Sequence, residues 1–111
     1  MKGSNLGEFE EIVLLTTAAL LNEAYSVGIC DELSKQTGRR VKLGVVHAVL
    51  NRLESKGFVR SYLGESTKVR GGRRKRYYTV TNAGHAALIK AREVRERLWN
   101  LIPRIAFESF S

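Results

Sequence analysis

The segment "KLGVVHAVLNRLESKGFVRSYL", residues 42 to 63, changes its period in the middle. Up to Ser55 the apolar residues Leu43, Val46, Leu50 and Leu53 recur at steps of three and four, the spacing of one helix face. Lys56 and Gly57 then supply a C-terminal cation and a stop. Beyond Gly57, "FVRSYL" is a β-prone run of strand length. The opposite side of the helix carries Val45, His47, Ala48, Asn51, Arg52 and Ser55, small and hydrogen-bonding groups turned outward.

Working upstream, "AYSVGICDELSKQTG" reads as a shorter helix with Ser26 as N-cap, Tyr25 and Cys30 stapled across its start, and Gly38 ending it after Thr37. The basic link "GRRVK" joins the two, which gives a helix-turn-helix. Before it, Leu6, Phe9, Ile12, Val13, Leu15, Ala19 and Leu20 give a first helix whose apolar face is wider than one neighbour covers, so it touches two partners. Downstream, a polar stretch from Gly64 to Arg74 leads to a second strand, "KRYYTV", making a hairpin with a long tip. Arg76, Tyr78 and Val80 share one face of that strand; Lys75, Tyr77 and Thr79 share the other. Thr81 caps a last helix in which Ala87, Ala91, Val94, Leu98, Leu101 and Ile105 form a seam that requires a partner helix. Pro103 stops or kinks it near Asn100, and the tail "RIAFESF" folds back onto a neighbour. The expected fold is mainly α with a β-hairpin wing: a winged helix-turn-helix domain over residues 1–80 and a C-terminal dimerisation helix and tail over residues 81–111.

The chain has 111 residues and 43% apolar content, enough for a single core. Nineteen Lys and Arg face eleven Asp and Glu, a net +8, and the excess is segregated. Residues 1–34 carry a net −5, residues 35–76 a net +11 and residues 77–111 a net +2. A polyanion fits that middle third, nucleic acid before an anionic membrane surface. Its densest part is "KVRGGRRKRYYTV", residues 68 to 80, with six cations in nine residues: Lys68, Arg70, Arg73, Arg74, Lys75 and Arg76. Such crowding is relieved when phosphates neutralise it and release counterions, so the hairpin tip reads as a DNA wing. Gly71 and Gly72 allow close approach to a sugar–phosphate ridge, and Tyr77 or Tyr78 offers a hydroxyl. The competing reading is a solvated loop.

On the third helix Lys42, His47, Asn51 and Arg52 are placed to reach the major groove or its flanking phosphates. Asn51 suits adenine, Arg52 suits guanine, and Val45 or Ala48 suits a thymine methyl; Arg52 alternatively pairs with a nearby glutamate. Cys30 is the lone cysteine, so neither an internal disulfide nor a four-cysteine metal site is available. His47 and His85 stand apart, no catalytic arrangement assembles, and no enzyme, metal or cofactor is expected. The apolar run "IVLLTTAALL" is too short for a bilayer and follows Glu8, Glu10 and Glu11, so a cytoplasmic protein without membrane attachment is expected. Trp99, late on the seam helix, either walls an interfacial cavity for a planar ligand or packs against the first helix of a second subunit.

Taken together, "LGEFEEIVLL", "AYSVGICDEL", "GRRVKLGVVHAVLNRLESKGFVRS" and "RGGRRKRYYTVTNAGHAAL" resemble the PadR family of transcriptional regulators over about residues 6 to 88. The resemblance implies a winged helix, a homodimer held by the C-terminal helix, and repression at an inverted-repeat operator. It puts DNA contacts at Lys42, His47, Asn51, Arg52 and the wing from Arg73 to Arg76. Where this chain has Ser26, Lys42 and His47, the family often has glycine, serine and tyrosine, so base preference does not carry over. Some relatives with a similarly short C-terminal part bind drugs or phenolic compounds at the dimer interface.

The expectation is therefore a homodimeric, sequence-specific repressor that responds to a small aromatic ligand. Its DNA surface comprises Lys42, Val45, His47, Ala48, Asn51, Arg52, Arg70, Arg73, Arg74, Lys75, Arg76 and Tyr78, and its dimer interface Phe9, Val13, Ala87, Ala91, Val94, Leu98 and Leu101. The alternatives are a non-specific nucleic-acid-binding protein and a protein-interaction module, both built on the same winged helix.

Overall fold

The structure is a computed structural model that describes residues 6–64 and 74–108. Three helices, α1 (Glu8–Leu20), α2 (Ser26–Thr37) and α3 (Leu43–Ser55), pack on one another, with a 3-10 turn at Leu21–Glu23 between the first two. Then come β1 (Val59–Leu63) and β2 (Arg76–Val80), a long helix α4 (Asn82–Leu101), and a short one, α5 (Arg104–Glu108). The strands pair antiparallel with Val59 opposite Val80 and Leu63 opposite Arg76. The mainly helical body with one hairpin is the fold class read from the sequence.

The core lies where the three helices meet the hairpin. Val13 and Leu14 of α1, Ile29 and Leu33 of α2, and Val46, Val49, Leu50 and Leu53 of α3 are all 2% exposed or less. Removing each such side chain from water contributes about 1.5–3 kcal/mol, which outweighs any propensity term in the short helices. Leu43 departs from the expected apolar face: in the first turn of α3, beyond the bundle, it is 39% exposed, and Val49 joins the inward row. Val13, expected at a dimer interface, is wholly inside its own subunit and has no surface to offer a second one.

Helix α2 starts one residue earlier than the sequence implies. Tyr25, extended at φ −117 and ψ 163, is the N-cap, and Ser26 is the first helical residue, without a side-chain cap. Tertiary pairing is the reason. Tyr25 bridges to Tyr77, Tyr78 N donates to Ala24 O at 2.8 Å, and the Tyr25 and Tyr77 rings meet edge-on at 5.7 Å. Instead of stapling with Tyr25, Cys30 donates its thiol to Val41 O at 3.1 Å. The far end follows the sequence: Gly38 takes a left-handed φ of 69 and returns its N–H to Ser34 O.

Thr81 caps α4 as expected, accepting from Gly84 N at 3.1 Å while donating to Gly57 O at 2.6 Å. One hydroxyl thereby ties the start of α4 to the turn before β1. Gly84 is buried against Phe58, and a Cβ there would run into the Phe58 carbonyl oxygen. Leu88 is the last residue of α4 to reach the core. From Arg92 to its end the helix is exposed, and the molecule measures 62 × 34 × 21 Å. Its radius of gyration is 17.0 Å, against about 13 Å for a compact 100-residue domain. The helix ends at Leu101, one residue past the expected position, and α5 follows Pro103 so that Phe107 stacks on Trp99 at 6.2 Å and 10°. The tail thus folds onto its own α4.

Candidate nucleic-acid interface

Packing turns one side of α3 inward and leaves Lys42, Val45, His47, Ala48, Asn51 and Arg52 exposed on the other. Beside it lies β2, bridged at Tyr77 to Tyr25, the residue before α2. A groove of about 470 Å³ opens between these elements, walled by Tyr25, Ser26 and Val27, by His47 and Asn51, and by Lys75, Arg76 and Tyr78. The structure therefore gathers His47, Asn51, Lys75 and Arg76 around one concavity. Lys42 and Val45 lie at the other end of α3, with Arg39 and Arg40 of the helix-turn-helix link. Those two exposed arginines extend the positive surface, and the sequence reading used them only as part of a basic link.

The described wing cations are held locally. Arg74 Nε donates to Gly64 O at 2.6 Å and its Nη2 to Leu63 O at 3.3 Å, fastening one strand end to the other. Arg76 Nη1 donates to Ser61 Oγ at 3.0 Å across the ladder. Lys75 Nζ stands 4.2 Å from the centroid of the Tyr25 ring, in cation–π contact. Tyr25 meets Tyr77, and Tyr77 stacks on Tyr62 at 5.8 Å, so three rings brace the base of the wing. Lys68, Arg70, Arg73, Gly71 and Gly72 lie outside the described residues.

Tyr78, expected as a phosphate donor, is 4% exposed and belongs to the core. Burial raises the pKa of its phenol, and the Glu54 charge adds to this against the opposing Arg76. Its face of β2 is the inward one, so Tyr77, half-buried, is the tyrosine nearer the surface.

Arg52 has the alternative partner that the sequence allowed, on another helix. Its Nε lies 3.5 Å from Glu10 of α1. Glu10 also accepts from Lys56 Nζ at 2.8 and 3.0 Å and from Gly7 N at 2.7 Å. Burial pushes the Glu10 carboxyl up, but the Lys56 ammonium, the Gly7 N–H and Arg52 together outweigh it and hold the group below its ordinary range.

Among the described residues no three His, Cys, Asp or Glu side chains gather as a metal site, and no helix is long and apolar enough to cross a membrane. A helix-turn-helix with an exposed polar second helix, flanked by a cationic antiparallel hairpin, defines the winged-helix class of regulators. Within that class, residues 14–90 match the transcriptional regulator PadR-like family, and the chain belongs to it. It is 38% identical over 77 residues to transcriptional regulator Rv3488 of Mycobacterium tuberculosis, covering 69% of this chain and 67% of that one. Among solved structures, a PadR-like transcription factor from Bacteroides fragilis superposes with a TM-score of 0.70 at 23% identity, covering 83% and 84% of the two chains. A transcriptional regulator from Clostridium thermocellum gives 0.64 at 26% identity over 83% and 84%. The family is one of transcriptional regulators and not of enzymes.

Proposed function

We propose that this regulator acts as a homodimeric repressor that inserts α3 of each subunit into successive major grooves of a palindromic operator. The observation that carries the reading is the placement of His47 and Asn51 on α3 beside Lys75 and Arg76 on β2, around one groove. Base-reading groups and phosphate-binding cations on a single surface are what direct readout requires. Val45 and Ala48 are exposed on the same helix for contact with thymine methyls, Arg74 adds an exposed cation ahead of β2, and the sequence supplies Arg70 and Arg73 shortly before it.

The second half of the reading is the dimer. Ala87 and Ala91 are half-buried on α4, while Val94, Leu98 and Leu101 are 41%, 59% and 74% exposed, a stripe that a second copy covers together with Phe9 of α1. This makes residues 1–80 the DNA-binding part and residues 81–111 the dimerising part. The two recognition helices then sit about 34 Å apart or a multiple of it. Trp99, 63% exposed, stacks on Phe107 at the same end of α4 and offers a ring surface to a small aromatic effector that alters the angle between subunits.

Selection of bound sequences from genomic fragments, followed by titration at several salt concentrations, tests the reading. A palindromic site preferred by at least about a thousandfold over random duplex is expected. Equal affinity for every duplex supports a non-specific coating protein instead. Retention of function after Arg74, Lys75 and Arg76 are all changed to alanine supports a protein-interaction module. Quenching of Trp99 fluorescence across a panel of aromatic compounds tests the effector, and a flat response rejects it.

A further inference from the structure

Glu10 and Glu11 are consecutive residues on the first turn of α1, yet they point to different helices, because successive side chains on a helix are about 100° apart. Both are buried, with side chains 9% and 11% exposed. Glu10 holds Lys56 and Arg52 at the C-terminal end of the recognition helix. Glu11 accepts from Arg95 of α4 in bidentate fashion, from Nη2 at 2.7 Å and from Nε at 3.1 and 3.2 Å. A helix N-terminus favours acidic groups, and an exposed carboxylate such as Glu8 meets that need. Burying two more in succession is costly unless each keeps its cation. Each pair spans far in sequence, 46 residues for Glu10 and Lys56 and 84 for Glu11 and Arg95.

From this arrangement we propose that Glu10 and Glu11 form a coupling element through which the position of α4 sets the position of α3. A displacement of α4 that drew Arg95 away would strand a buried carboxylate, so the first turn of α1 follows α4. The recognition helix follows that turn for the same reason, through Lys56 and Arg52. Arg95 lies on α4 between Ala91 and Leu98 of the apolar seam, so any change in the contact between subunits reaches it directly. The proposal rests on the reading of α4 as the dimer helix. Within that reading, Glu10, Glu11 and Arg95 are positioning residues for operator spacing.

The test uses the full chain and the selected operator, with the half-site spacing native or lengthened by two base pairs. Wild type is expected to bind the lengthened site at least about tenfold more weakly, the loss that goes with 1.4 kcal/mol. R95Q is expected to shrink that penalty by about fivefold or more, the lower end of usual coupling strengths. In R95Q, affinity for a duplex with one half-site is expected to change less than about twofold, and R95K, which keeps the charge, is expected to restore most of the penalty. E10Q combined with R95Q is expected to flatten the penalty no further than R95Q alone, since both cut the same route. In hydrogen exchange, R95Q is expected to speed the α3 amides relative to those of β2, although the hydrogen bonds of Arg95 go to Glu11 of α1. A folded R95Q that keeps the wild-type penalty and α3 protection overturns the coupling and leaves the proposed function standing. A wild type indifferent to spacing overturns both.

Discussion

Helices α3 and α4 carry the same kind of apolar period and put it to opposite uses. In α3 the row Val46, Val49, Leu50 and Leu53 is consumed inside the subunit, none of it more than 1% exposed. In α4 the row continues for three turns past its last core residue, Leu88, and ends at Leu101, which is 74% exposed. Periodicity therefore reports that a helix face seeks a partner and is silent about whether the partner belongs to the same chain. What separates the two cases is length. The three-helix body offers surface to a helix of 13 residues, and a helix of 20 outruns it.

The largest expected contrast comes from truncating one residue in each row. Leu50→Ala leaves a cavity in a fully buried site and is expected to cost about 2–5 kcal/mol in denaturant unfolding. Leu98→Ala is expected to leave the stability of the isolated body within about 0.5 kcal/mol, because the residue contributes nothing to its core. A comparable loss at both positions, measured at concentrations where subunits are separate, removes the distinction. Next in size, Gly84→Ala forces a methyl against the Phe58 carbonyl where α4 crosses the hairpin, and a loss of about 1–3 kcal/mol is expected. A smaller effect, about 1 kcal/mol, is expected for Thr81→Ala, which leaves the Gly84 N–H without its cap.

The smallest effect is graded with pH and lies on the α3 side. The Glu10 carboxyl is held below its ordinary value of 4.5, so its pairing with Lys56 contributes full stability above that value. The contribution is lost as pH falls from 4.5 through the lower folded value, since the unfolded chain takes up the proton first. Unfolding midpoints of wild type and E10Q are expected to differ at neutral pH and converge in acid. Parallel curves through that range contradict the assignment.

Much of this architecture was legible in the chain because it rests on local signals. The order of the helices, the hairpin, the Gly38 stop, the Thr81 cap and a break before Pro103 follow from period, punctuation and capping chemistry. What escaped depends on contacts distant in sequence. Ser26 has the chemistry of an N-cap, but the bridge from Tyr25 to Tyr77 decides where α2 begins. Tyr78 and Tyr77 are equivalent by composition, and only the sheet's orientation against α1 buries one and leaves the other at the surface. Val13 fits an interface by period and lies wholly within its own core. Glu10 and Glu11 read as ordinary acidic residues at a helix start, since their cations come from α3 and α4. The Arg39–Arg40 pair carried the one signal that was readable and unused, two cations in the link beside the recognition helix.

The central claim is that two copies of this chain, joined along α4, present paired α3 faces to one duplex. Sedimentation of the protein with a duplex carrying the selected two-half-site operator measures this directly, with the Leu98→Asp variant alongside. Two wild-type chains per duplex are expected, with affinity falling linearly in log salt, and the variant is expected to fold as a separate subunit that loses the operator. One wild-type chain per duplex, or tight operator binding by the separated variant, would contradict it.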